Sequence, residues 1–120
     1  MSRQRILVCG SRDWTDERAV RLRLSERDVL GSIVIHGAAR GVDSFARAAC
    51  AFNGVHAAAV EPYWEFYGKK AGYLRNLAML DLEPALIIAF TTGSPGAQLT
   101  IDEARKRGIP VEVHGTERPA

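Results

Sequence analysis

A doubly wound α/β domain, with a mainly parallel five-stranded sheet and helices on both faces, is the fold this sequence predicts. Three observations carry that expectation. Five short β-rich runs recur, and four of them lack the polar/apolar alternation of a half-wet strand, as strands covered on both faces do. Segments of helical spacing separate the runs, the arrangement of successive right-handed βαβ units. At 120 residues the chain has the common size of one domain and no room for a second core.

The runs are Arg5–Cys9, Ser32–His36, His56–Val60, Ala85–Phe90 and Pro110–His114. The first helix follows Thr15-Asp16-Glu17, where a capping hydroxyl precedes acids of the first turn; it turns Val20, Leu22 and Leu24 inward and stops at Gly31. The second runs from about Val42 to Phe52 and ends at Gly54. The third begins near Gly68 and places Ala71, Leu74, Ala78 and Leu82 on one stripe before Pro84. The fourth spans roughly Gln98 to Arg107 and meets Gly108 and Pro110. One domain over residues 4–115 is expected, with 116–120 as a loose tail.

Composition excludes several classes. With 47% hydrophobic and 25% charged residues the chain is neither disordered nor fibrous. Its longest apolar run, Ala85–Phe90, is too short to cross a bilayer, and Arg5 leads into Ile6-Leu7-Val8 without a signal-peptide core, so no membrane association and a cytoplasmic location are expected. Cys9 and Cys50 stand in apolar surroundings, which favours buried thiols over a disulfide or a metal site. The net charge of +2 conceals nine arginines against six acids in the first sixty residues, a mild anion preference without the basicity of a nucleic-acid binder.

In such a sheet the loops after the strands face a crevice where the strand order reverses. Three of them combine small residues and turn formers ahead of a helix: Gly10-Ser11-Arg12-Asp13, then Gly37 to Asp43, then Thr91 to Ala97. Such loops expose backbone N–H groups and let an anion approach a helix N-terminus. Arg12 and Arg40 are phosphate clamps on this reading, or surface partners of Asp13 and Asp43 on the plainer one. No P-loop and no G-x-G-x-x-G after the first strand occurs, which argues against an NTPase or a dinucleotide dehydrogenase.

Pro62 to Lys70 packs four aromatics and two lysines into nine residues. Trp64 and its neighbours either wall a base while Lys69 or Lys70 meets a phosphate, or plug the helix onto the sheet and fill a dimer contact. Arg75-Asn76 follows two turns into the third helix. Nucleophilic and metal chemistry have little support: Ser11, Ser44 and Ser94 lack a histidine partner in sequence, and of the three histidines only His36 ends a strand ahead of a glycine loop.

The set ILVCGSRD, IHGAARGVD, YGKKAGYLRNLAMLD and LIIAF…GSPGA…ARKRGIPV resembles the YspA/YpsA-related branch of the SLOG superfamily over residues 5–113. That superfamily includes the lonely-guy phosphoribohydrolases and the single-strand-binding DNA-processing protein DprA. The resemblance implies a Rossmann-like fold and a nucleotide or nucleotide-derived ligand, with no cofactor. Gly10, Ser11 and Arg12 look like the first ligand contact, and Gly37, Arg40, Gly41 and Asp43 like the second. Arg75 and Asn76 are similar in place to the Arg-Lys of the phosphoribohydrolases, whose arginine is catalytic, and Gly93, Ser94, Pro95 and Gly96 resemble their phosphate loop. The chain departs from the relatives at Ala97, where they have threonine, and at Leu99, where they have an acid. The glutamate that should follow the loop is also absent, and Asp102 and Glu103 lie further along the helix.

The expected function is binding of a nucleotide derivative, as sensor or hydrolase. Arg12, Arg40 and Arg75 are its anion partners, the aromatic segment covers the base, and Asp13, Asp43 and Glu103 are the carboxylates available for glycosidic cleavage. The alternative is a DprA-like single-strand binder, against which the near-neutral charge argues. A homodimer is expected from the apolar and aromatic side chains so small a domain must cover.

Overall fold

Both faces of the central strands are apolar because both are covered. In the computed structural model, which describes residues 4–26, 32–37 and 40–117, strand β1 (Arg5–Gly10) sends Ile6 and Val8 to one side and Leu7 and Cys9 to the other. Helices α1 (Glu17–Glu26) and α2 (Val42–Asn53) close the first side with Val20, Leu24, Val42, Ala46, Ala49 and Cys50. On the second side, α4 (Ala71–Asp81) and α5 (Pro95–Lys106) contribute Met79, Leu80, Ile101 and Ala104.

The remaining strands are β2 (Ile33–His36), β3 (His56–Ala59), β4 (Leu86–Thr91) and β5 (Val111–Gly115). All pairings are parallel and the order is β3-β2-β1-β4-β5. The chain therefore winds outward from β1 to β3, returns across the sheet to β4, and winds outward again, which puts the switch point between β1 and β4. Gly10 lies opposite Phe90 at that seam. The α/β, Rossmann-like, doubly wound expectation holds, with every strand parallel. Among the described residues no helix is long and apolar enough to cross a membrane.

Several local expectations shift. Asp16, rather than a hydroxyl, caps α1, its Oδ1 accepting the Ala19 N–H at 3.0 Å. Leu22 is exposed, since, two residues from both Val20 and Leu24, it falls on the opposite side of the helix from the face those two share; the expected stop at Gly31 is outside the described residues. Strand β3 is an edge strand with largely exposed side chains, not one covered on both faces. Helix α5 starts at Pro95, whose missing N–H costs nothing at a first helical position.

The third predicted helix differs most. A short helix, α3 (Trp64–Tyr67), and a 3₁₀ turn (Gly68–Lys70) precede α4. The buried stripe of α4 is Ala71, Arg75, Met79 and Leu80, while Ala78 and Leu82 are exposed. A polar anchor at Arg75 rotates the helix away from its most apolar face. At the C-terminus Thr116 donates to the Thr91 carbonyl at 2.8 Å and Glu117 pairs with Arg105 at 2.6 Å. Residues 118–120 lie outside the described residues.

Candidate functional site

A cleft of about 650 Å3 opens over the switch point, a volume usual for a small-molecule site. The β1–α1 loop supplies Gly10, Ser11, Arg12 and Asp13; the start of α2 supplies Asp43; α3, the 3₁₀ turn and α4 supply Trp64, Lys69, Tyr73, Arg75 and Asn76; the start of α5 supplies Ser94, Gly96 and Thr100. The three glycine loops do meet at one edge of the sheet, although Ala38 and Ala39 lie outside the described residues.

Glycines at two seams make that convergence possible. A Cβ on Gly10 would fall on the Phe90 carbonyl and 2.7 Å from Val42 Cγ2. Gly41 has φ +71°, and a Cβ there would come within 2.7 Å of the Arg12 carbonyl. The second loop is therefore packed beneath the first.

Ser11 locks the first loop to the third. Its N–H donates to the Phe90 carbonyl at 3.0 Å, its hydroxyl lies 2.6 Å from Ser94 Oγ, and it accepts the Thr92 N–H at 3.0 Å. Gly93, at φ +91°, donates to Thr91 Oγ1 at 3.0 Å. Thr92 Oγ1 donates to Asp13 at 2.7 Å. Ser11 and Gly93, read from the sequence as ligand contacts, thus hold the loops together.

Arg75 rises from the floor. It is only 8% exposed, yet its polar partners are neutral: Nη1 donates to the Gly37 carbonyl and Nε donates to Asn76 Oδ1 at 2.7 Å. Asn76 Nδ2 in turn donates to Thr100 Oγ1 at 2.8 Å, and that hydroxyl donates to the Gly96 carbonyl at 3.2 Å. Both polar atoms of Asn76 are thereby engaged, so it positions Arg75 against the first turn of α5. Gly37 serves from below the cleft: a Cβ on it would come within 2.6 Å of the Arg75 guanidinium carbon.

Arg12 reaches the same space from above. Its guanidinium sits 5.0 Å from the centroid of the Trp64 ring, a cation–π contact. A side chain at Gly72 would have its Cβ 3.7 Å from Arg12 Nη2 and 3.9 Å from Arg75 Nη2. The absence of one leaves room beside a terminal nitrogen of each guanidinium group and the edge of the Trp64 ring. Burial lowers the pKa of Arg75 first; Asp43 counteracts this and Arg12 adds to it through like-charge repulsion.

The cleft also holds a thiol. Burial, reinforced by Asp43, pushes Cys9 up to about 12, so it is a protonated wall and no nucleophile near neutral pH. His36, at the end of β2, is held below its usual value of 6.5, chiefly by burial. The unfolded chain therefore takes up this proton first, and stability should fall as the pH drops below about 6.5 while His36 adds no pH dependence above it. Urea midpoints of the His36→Gln variant should decline less steeply than those of the parent between pH 6.5 and 5; equal slopes would reject this assignment.

Five sequence-derived site residues do not line the cleft: Gly37, Arg40, Gly41, Gly93 and Glu103. Arg40 is exposed and does not line the cleft, and Gly41 lies beneath it. Glu103 pairs with Arg107 at 3.2 Å and stays out of the cleft because it lies two turns, roughly 10 Å, further along the α5 axis than Gly96, although periodicity keeps it on the face of Gly96 and Thr100. Thr100, Gly72 and Tyr73 were missed. Thr100 was findable as the residue one turn after Gly96, and Gly72 as an isolated glycine in a helical segment.

A family model described as the YspA, cpYpsA-related SLOG family matches residues 4–67, more than half of the chain. The chain belongs to that family. The SLOG match spans the first two loops and α3, while Arg75 and the α5 loop lie beyond it. The Gene 61 protein of Mycobacterium phage D29 is 38% identical over 117 residues, covering 90% of this SLOG chain and 94% of that protein. Among solved structures, DNA processing protein A (DprA) from Streptococcus pneumoniae superposes with a TM-score of 0.78 at 19% identity. The superposition covers 95% of this chain and 51% of the DprA chain, so this SLOG domain spans about half the length of that protein and shares its fold.

Proposed function

We propose that the protein binds a nucleotide or nucleotide-derived ligand at the C-terminal edge of the sheet, with a phosphate between Arg12 and Arg75. The observation that carries this reading is the convergence of the two guanidinium groups over Gly72. Two like charges brought near one point repel, a bridging anion relieves that repulsion, and planar guanidinium groups suit phosphate oxygens. Lys69 adds a third cation. The N–H groups of Gly96 and Ala97 lack acceptors one turn back and supply donors at the positive end of α5.

Turnover would need a carboxylate near the ribose. Asp13 and Asp43 line the cleft and remain candidates, with Arg75 stabilising developing charge, whereas the position of Glu103 speaks against its taking that part. Calorimetric titration with AMP and adenosine tests the reading. AMP should bind saturably and adenosine should not bind at the same concentrations. Equal affinity for both would overturn the phosphate assignment. Binding restricted to oligonucleotides, with steep salt dependence, would replace it by a single-strand binder.

A further inference from the structure

Trp64, which lines the cleft, also lines a second hollow of about 600 Å3, completed by Pro62, Tyr63, Glu65 and Phe66. Tyr63 is 67% exposed and Phe66 82%, and no residue of α3 is buried. These rings therefore add little to the core of the fold, and their exposure concentrates apolar surface beside a polar site. Trp64 is not a bare platform within the cleft either, since Arg12 lies over its ring. The aromatic faces left open are those beyond it.

The two hollows differ in chemistry. The cleft brings Arg12, Lys69 and Arg75 together beside Asp13 and Asp43, a surplus of cations, whereas the only ionised side chain lining the second hollow is Glu65. A carboxylate beside aromatic rings disfavours a second phosphate and accepts N–H donors from a neutral planar ring. We infer that this hollow is a second, ring-binding subsite continuous with the cleft, and that the ligand is a dinucleotide. Its phosphate lies at Arg12 and Arg75 and one of its two bases lies against Tyr63 and Phe66. The inference rests on the cleft being a phosphate site. Continuity through the shared Trp64 wall favours this occupant over a second copy of the chain, which would need no cations beside the aromatic patch.

The test compares AMP with the 5′-phosphorylated diadenylate pApA on the parent protein and on a Tyr63→Ala/Phe66→Ala double variant. Both side chains are exposed, so the variant should fold as the parent does. The parent should bind pApA about tenfold more tightly than AMP, in line with one additional base–aromatic stack. The variant should lose that gain and keep its AMP affinity, and a longer oligoadenylate should add nothing to pApA. Equal affinities in the parent, or an undiminished gain in the variant, would overturn the subsite. A further rise with strand length would do the same, marking a strand groove. If the variant turned a dimer into a monomer by light scattering while the pApA/AMP ratio stayed put, the patch would belong to a second copy. Failure of AMP itself to bind would remove the phosphate reading, a separate outcome from loss of the pApA gain alone.

Discussion

Replacing Arg75 by alanine should weaken AMP binding by about 1.5–3 kcal/mol, the range for a hydrogen bond to a charged group, or roughly tenfold to somewhat over a hundredfold. The substitution also removes the donor to the Gly37 carbonyl and to Asn76 Oδ1 inside a nearly closed floor, so a loss of stability should accompany the loss of affinity. Arg75→Lys separates the two effects. Lysine keeps the charge but cannot present a planar fork to Gly37, Asn76 and a phosphate together. It should recover part of the affinity, and less of the stability. Affinities measured calorimetrically at temperatures where each variant is folded, beside urea midpoints, check this. A folded Ala variant with the parent's AMP affinity would leave Arg75 as a cross-link between the second loop and α4, and the phosphate reading would lose its carrier.

Gly10→Ala should cost about 3 kcal/mol, the upper end of what overpacking a tight interior does. The added methyl would fall on the carbonyl oxygen of Phe90, a backbone atom that already accepts the Ser11 N–H at 3.0 Å. Neither β1 nor β4 can yield without spoiling their pairing, which sets Gly10 opposite Phe90. Any shift would also strain the hydroxyl of Ser11, which ties the first loop to Ser94 and Thr92, so AMP binding should weaken with stability. Gly96→Ala is the matched comparison. It lies in the first turn of α5 with nothing within 4 Å of a new Cβ, so its stability should be unchanged or higher by about 0.5–1 kcal/mol. Urea midpoints for the pair would show the contrast; equal midpoints would mean that the β1–β4 seam is softer than its geometry implies.

Part of the site could be read before any coordinates. Gly10 to Asp13 and Ser94 to Gly96 were recognisable because each is a run of small and turn-forming residues between a strand and a helix, and short-range chain geometry alone places such runs at one edge of a parallel sheet. Arg75 was legible for a different reason, through resemblance, since helical periodicity would have kept Leu74 and Ala78 on the buried stripe in its place. Glu103 and Arg40 show the limit: their residue types suit the chemistry, but distance along the α5 axis and the path of the second loop leave them out of the cleft.

What the sequence determined by itself are the properties that nearest neighbours decide: five strand runs, the glycine turns after them, the helix stop at Gly54, and, among the described residues, the absence of a helix long and apolar enough to cross a membrane. These follow from local backbone preferences and from hydrophobic periodicity within a few turns. The tertiary structure alone decided the order β3-β2-β1-β4-β5 and the meeting of Arg12 with Arg75 over Gly72. It also decided the engagement of Asn76 with both Arg75 and Thr100, and the covering of the Trp64 ring by Arg12. Each of these joins residues between one and five elements apart or fixes which way a side chain turns. The physical reason is that such contacts form only after the sheet closes and buries both faces, when packing and the satisfaction of buried polar groups, rather than local propensity, select among conformations that the chain would otherwise visit freely.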